Sequence, residues 1–318
     1  MHQYDSALVT QNVSEPSVRA AQRLYILQAR DFNTASVLNL TSLFCSSDIT
    51  LVTAYYDLGK LSKHDRVSFK NWNSRFFALD DDMVIFTDEQ TSRAIVKLRR
   101  KSNGCTILVI QSLEQSEIFG LTNWHGQHDK DPEKFRHSIE LYVVWNQKSL
   151  WLEQVANVNP FSSSHFFWAD SGQFRDGVFL DNHVLSGRWI HVPTFLPSCR
   201  ILILSIEKFR VSELERSDAG FTHPLDSELV RLGGGNFGGD ACAVCRFAEL
   251  FRIQIRRYLN MSYFAGKDQP IYGSVCTSWR DMCFIVEAKR VLQATDPWFA
   301  LQPVLHGDTA PVPEYVLP

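Results

Sequence analysis

The stretch HFFWADSGQFRD, residues 165–176, runs three aromatic side chains, Phe166, Phe167 and Trp168, straight into an acid, Asp170, followed by the small residues Ser171 and Gly172. An apolar run of this length bounded by turn residues reads as a buried strand. A carboxylate at its end is unfavourable to bury without a compensating partner. Working outward, the same pattern recurs. DITLVTAYYD (48–57) is a β-rich run ending in Asp57, and DMVIFTDE (82–89) is a short apolar run ending in Asp88. GCTILVIQSL (104–113), RILILSIEKF (200–209) and DMCFIVEA (281–288) supply three more strands.

Between them, RVSFKNWNSRFFALD (66–80), SIELYVVWNQKSLWLEQVA (138–156) and ACAVCRFAELFRIQIRRYL (241–259) carry helical spacing, with Asp240 as N-cap of the last. Continuous apolar strands alternating with helices predict an α/β fold, a mixed and mostly parallel sheet with helices on both faces. Residues 1–47 read as a peripheral N-terminal extension with a helix at 16–30, and 48–318 as one main domain. FGLTNWHGQHDKDPEKF (119–135) reads as a polar insertion in which His125, His128 and Asp129 are solvated.

Composition narrows the function classes. The chain has 318 residues, 45% hydrophobic and 21% charged, and a net charge of -3. No basic block suggests nucleic acid as a partner. No window has the length of a membrane span, and no basic-then-apolar leader opens the chain. The cytoplasm is therefore the expected location, with the Golgi lumen as the alternative if an anchor precedes Met1. Seven scattered cysteines read as free thiols. Cys242 and Cys245 form a CxxC on a helix without a second ligand pair, and read as small buried core residues rather than a zinc site. The sequons at Asn12, Asn39 and Asn260 are about as frequent as chance gives.

Ligands in open α/β sheets bind beyond the carboxyl ends of the strands, which singles out the strand-end acids. Asp57 reads as the cap of a turn, Asp88 equally as a cap or a ligand contact, and Asp170 as a site residue. Asp170 has small neighbours, and a hard divalent cation bridging a diphosphate would compensate it. Arg175 either faces the same phosphates or makes a surface ion pair. GGGNFGG (233–239) formally contains GxGxxG before a helix, yet it follows a poor strand and reads better as a glycine loop against a sugar or phosphate, or as a plain turn. In GKDQ (266–269), Asp268 is a general base for a hydroxyl, or the N-cap of a helix starting near Pro270. His306 is a neutral metal ligand or a solvated loop histidine. ADSG is like the nucleophile motif of chymotrypsin-type proteases, but no partner motif accompanies it and the α/β pattern contradicts that fold.

In order, LVTAYYDLGK, MVIFTD, a helix ending NPF, FFWADSGQFR, GGNFGG and GKDQPIY resemble the GT-A-type glycosyltransferases, and more closely the HtrL/YibB-type glycosyltransferase family, over about residues 48–290. The resemblance implies a nucleotide-sugar donor, a glycan, lipid-linked or protein acceptor, and Mn2+ or Mg2+ held by a DxD-like motif. Asp170 matches the last acid of that motif, while Trp168 stands at the first acid position, so further ligands such as His306 would have to join for a metal to bind firmly. Thr53 and Tyr55 match the strand edge that meets the nucleotide, and Asp88 a strand end near the ribose. Gly238, Gly239, Asp268 and Gln269 match the region around donor sugar and acceptor, with Asp268 as base if configuration is inverted. The competing expectations are a non-catalytic nucleotide- or carbohydrate-binding relative and a nucleotide-cofactor oxidoreductase or methyltransferase using GGGNFGG.

Overall fold

The computed structural model describes residues 24–34, 45–58, 66–175, 179–180, 187–292, 294, 296–307 and 313–317. Its strands are β1 Leu24–Gln28, β2 Ile49–Ala54, β3 Met83–Thr87, β4 Thr106–Ile110, β5 His165–Ala169, β6 Ile201–Ser205, β7 Leu232–Asp240 and β8 Cys283–Glu287. The helices are α1 Ala29–Thr34, α2 Arg66–Phe76, α3 Glu89–Arg99, α4 Trp124–His128, α5 Ile139–Val158, α6 Ala241–Asn260, α7 Asp268–Ser278 and α8 Leu301–His306. One eight-stranded sheet has the order β1-β4-β3-β2-β5-β7-β6-β8. Every neighbouring pair is parallel except the two made by β7, which runs against both β5 and β6. The α/β class and the mostly parallel mixed sheet are as the sequence predicts.

Strands β3, β4, β6 and β8 are buried along their whole length, because both faces of the sheet are covered. On one face Val52, Val84, Ile107 and Phe166 pack against Trp151 of α5, Phe247 of α6 and Ile271 of α7. On the other, Leu51, Ile85, Leu108 and Phe167 meet Phe76 of α2, Ile95 of α3 and Leu301 of α8. Helices α3, α5 and α6 begin where a side-chain oxygen takes an otherwise orphaned N–H. Asp88 accepts from Thr91 N at 2.6 Å, Ser138 from Leu141 N at 3.3 Å and Asp240 from Ala243 N at 2.8 Å.

Three local expectations are corrected. Within the helix expected at 16–30, residues 24–28 instead form edge strand β1, paired in parallel with β4; residues 16–23 lie outside the described residues. A free edge of β4 offers a ladder of backbone partners that a half-apolar segment can use as well as a helix. GGGNFGGD is no loop: it is most of strand β7. The dinucleotide fingerprint needs a turn between a strand and a helix, so that reading of the glycines falls.

The cysteines are the third correction. Cys45–Cys105, Cys199–Cys242 and Cys276–Cys283 are disulfides, 60, 43 and 7 residues apart in sequence, and Cys245 alone is free. Cys242 is an exposed disulfide partner rather than a core residue. The partners in Cys45–Cys105 and Cys199–Cys242 are brought together by the tertiary fold, which spacing along the chain does not encode. Unfolding the unreduced protein in denaturant and titrating it with a thiol reagent is expected to reveal one reactive thiol of the seven cysteines. A count near seven contradicts the pairing.

Candidate active site

A cleft of about 1240 Å3 opens at the carboxyl ends of the parallel strands. Its floor is made at Asp170, just past the end of β5, where β7 begins, and where α7 starts at Asp268 and Gln269. One wall is a face of α5, on which Leu141, Val144, Trp145 and Lys148 recur at helical spacing. Because β7 is antiparallel, its amino end lies beside the carboxyl end of β5: Asn236 pairs with Ala169, and Asp170 N donates to Gly235 O at 2.8 Å. Gly234 and Gly235 therefore line the cleft. Gly238 and Gly239, paired with Phe167 and Phe166 farther along β5, do not.

Lys148 organises this floor, and it is not among the residues singled out by sequence. Its side chain is 4% exposed. Nζ lies 3.0 Å from Asp170 Oδ1 and 3.3 Å from Asp170 Oδ2, and it donates to Gly234 O at 3.0 Å. It also stands 3.3 Å from Asp268 Oδ2. No aligned hydrogen bond reaches that oxygen, so this last contact is Coulombic. The Trp168 indole donates to Asp170 Oδ1 at 2.8 Å, and the ammonium sits 5.8 Å from the Trp168 ring centroid. Trp168 and Asp170 are two residues apart on a strand edge and so point the same way.

Burial pulls the Lys148 ammonium down, but the attraction of Asp170 and then Asp268 outweighs it, and its pKa is raised overall. Burial pushes the Asp268 carboxyl up, with Lys148 opposing and Asp170 reinforcing the rise. The backbone of β7 approaches so closely that a Cβ on Gly234 would lie 2.5 Å from Asp268 Oδ2. Only glycine fits there.

The rest of the cleft is aromatic and basic. The Arg175 guanidinium lies 5.5 Å from the Trp72 ring centroid and 4.9 Å from that of Phe299, and bonds Asp296 Oδ2 at 3.2 Å. Tyr55, Lys97 and Lys101 line the same space, as does Asp57. At the far end of the α5 face, buried His137 bonds Asp131 Oδ2 at 2.8 Å through Nδ1, and Tyr142 donates to the same oxygen at 2.6 Å. The segment around His125, His128 and Asp129, expected to be solvated throughout, is instead tied down. His128 Nε2 lies 3.1 Å from the carbonyl oxygens of Lys134 and His137, and Trp124 and Gln127 are buried. His125 and Asp129 are exposed as expected.

Of the residues singled out by sequence, the cleft brings together Asp170, Asp268, Gln269, Arg175 and Tyr55. Thr53 is buried within β2, and Asp88 caps α3; neither lines the cleft. His306 also lies apart from it, with Nδ1 2.7 Å from Trp189 O and its ring near those of Phe179 and His191. The structure thus separates His306 from Asp170.

The donor set does not fit a divalent cation. Mg2+ and Mn2+ need several oxygen ligands in open octahedral array, whereas both Asp170 oxygens face Lys148 and one also accepts from Trp168. A lysine ammonium already stands between the two acids. Among the described residues, the one cluster with ligand atoms close enough for a metal is Cys199, Asp240 and Cys242, and its two sulfurs are joined in a disulfide.

No family profile and no curated protein sequence matches the chain. The HtrL/YibB-type resemblance therefore rests on the motifs alone. Among solved structures, the chain is similar to mouse xyloside xylosyltransferase 1 in its apo form, at 11% identity and TM-score 0.42, covering 80% of this chain and 93% of that one. It is also similar to 4-diphosphocytidyl-2C-methyl-D-erythritol synthase from Anaerococcus prevotii, at 12% identity and TM-score 0.32, covering 75% and 88%. Likeness at this level leaves the functional argument to the residues.

The ion contacts set a pH dependence. Lys148, with its pKa raised, contributes stability below its ordinary value and loses it as pH rises through the folded value. Asp268, also raised, favours the folded state at low pH and ceases to as pH rises through its folded value. Lys148→Met leaves two uncompensated carboxylates. It is expected to lower stability at neutral pH by about 3–5 kcal/mol, the cost of breaking a buried pair. The value falls toward the lower end because the Asp170 side chain is 35% exposed and solvent screens it. Denaturant unfolding of both proteins from about pH 8 down to about pH 4 is expected to show the deficit shrinking as the carboxylates protonate. A deficit independent of pH contradicts the ion-pair account.

Proposed function

We propose that the cleft is the active site of a glycosyltransferase that moves a sugar from a nucleoside-diphosphate donor to a hydroxyl of a glycan, lipid-linked or protein acceptor. The observation that carries this reading is Asp170. It is held at the floor of an aromatic-lined cleft by Trp168 and Lys148 and is still partly exposed to it. A fixed carboxylate is a strong acceptor for sugar hydroxyls, and rings such as Tyr55, Trp72 and Phe299 suit the flat faces of a base or a sugar. Arg175, stacked between two rings, presents a guanidinium suited to a diphosphate.

In the reaction, the acceptor oxygen forms a bond to the anomeric carbon. The bond from that carbon to the diphosphate oxygen breaks, and its electron pair leaves on the nucleoside diphosphate. Arg175 stabilises that developing charge. In an inverting transfer the acceptor proton passes to Asp268, whose raised pKa makes it a better proton acceptor than a surface carboxylate.

Three disulfides fit an oxidising compartment, which favours a lumenal over a cytoplasmic setting. No helix among the described residues is long and apolar enough to cross a membrane.

A second reading, a non-catalytic nucleotide or carbohydrate binder, is favoured by Trp168 at the place of an acid. Turnover separates the two, since a binder retains donor without releasing nucleoside diphosphate.

Melting temperatures measured with a panel of nucleoside diphosphates and nucleotide sugars are expected to rise with one nucleotide family in the wild type. Asp170→Asn should lose the additional rise that the sugar gives over the bare diphosphate. Arg175→Ala should weaken diphosphate binding about 10- to 100-fold, the worth of a charge-assisted hydrogen bond. A well-folded protein that responds to no member of the panel would sink the proposal.

A further inference from the structure

We infer that this site works without a divalent metal, because Lys148 is a built-in cation standing where a metal would stand, and that Asp170 and Asp268 contact substrate hydroxyls rather than an ion. The part concerning hydroxyls rests on the sugar-transfer reading; the part concerning the metal does not.

The geometry supports both halves. The ammonium donates to Asp170 and to Gly234 O, and the Asp268 carboxylate stands beside it as a Coulombic partner. It is 4% exposed, so it is enclosed by these groups and Lys148 is a positioning residue, not a diphosphate contact. Its position is fixed from every side. Gly234, which admits no Cβ, brings a backbone carbonyl to it, and Trp168 holds the far side of Asp170. A divalent ion placed against either acid would meet this fixed positive charge within a few ångströms, a repulsion that a low-dielectric floor amplifies. Two acids sharing one ammonium retain one negative charge in excess, and a hydroxyl-bearing ligand can donate to it. The diphosphate belongs with Arg175, Lys97 and Lys101, which also line the cleft.

Two titrations test the inference. In the first, Mn2+ alone is added to the wild type and to Lys148→Met, and free Mn2+ is read by its paramagnetic resonance signal. The wild type is expected to leave the ion free in the millimolar range. Lys148→Met, with the acids uncovered, should bind it at least about tenfold more tightly. Submillimolar Mn2+ binding by the wild type that Asp170→Asn abolishes would overturn the inference, and this arm stands even if the Lys148 variant does not fold.

In the second, the nucleotide that stabilises the wild type is titrated calorimetrically in chelator and in Mn2+, and its affinity is expected to agree within about twofold. Binding that requires Mn2+ overturns the metal-free site while leaving the sugar-transfer reading intact. If no nucleotide binds in either buffer, the sugar-transfer reading and the hydroxyl role of the acids fall together, and the first titration alone decides the metal.

Discussion

The ammonium of Lys148, lodged between Asp170 and Asp268, is the contact on which the functional end of this protein depends. Removing a lysine from water is unfavourable by several kcal/mol unless its charge is fully compensated. Here two carboxylates and the Gly234 carbonyl supply that compensation. The three partners come from the end of β5, the start of α7 and the start of β7. One side chain from α5 thus joins the pieces of chain that make the floor of the cleft. The same contact keeps Lys148 charged.

The reversed strand makes this possible. In an all-parallel sheet each neighbour of β5 would bring its carboxyl end to the cleft. β7 runs the other way, so it brings an amino end, and with it the residues Gly233, Gly234 and Gly235. Glycine is needed because the carboxylate of Asp268 lies where a Cβ would be. Gly234 is thus a consequence of close packing between a strand and a buried acid, and the run is a strand rather than a turn.

Six of the eight strands, the helices α2, α5, α6 and α7, and the caps Asp88 and Asp240 are legible in the sequence, because a sheet covered on both faces demands continuous apolar runs and helix starts demand side-chain acceptors. Asp170, Asp268, Gln269 and Arg175 are legible for a related reason: strand ends and helix starts on one edge of an α/β sheet converge; Tyr55 enters only through the family resemblance. What is not legible depends on pairings distant in sequence. The disulfides Cys45–Cys105 and Cys199–Cys242 are of this kind, and so are Gly234 and Gly235, whose role follows from strand direction. Lys148 is the instructive case, since a lysine in a helix ordinarily reads as part of the solvated face. Its neighbours carry the missing signal. Asn146, Gln147, Lys148 and Ser149 form a polar run inside an otherwise apolar helix, and all four are buried. A polar turn with no solvated face must find partners inside the protein. Asn146 finds the carbonyls of Ala265 and Gly266, and Gln147 the N–H of Ile118.

The most direct test of this account is a double-mutant cycle between Lys148→Met and Asp268→Asn, read by denaturant unfolding at neutral pH. Groups that share a buried charge contact couple, and an interaction energy of about 1–3 kcal/mol is expected, with the double variant more stable than the two single losses imply. Additivity within about 0.5 kcal/mol would show that Lys148 and Asp268 do not act as one unit, and would contradict the view that this ammonium holds the site together.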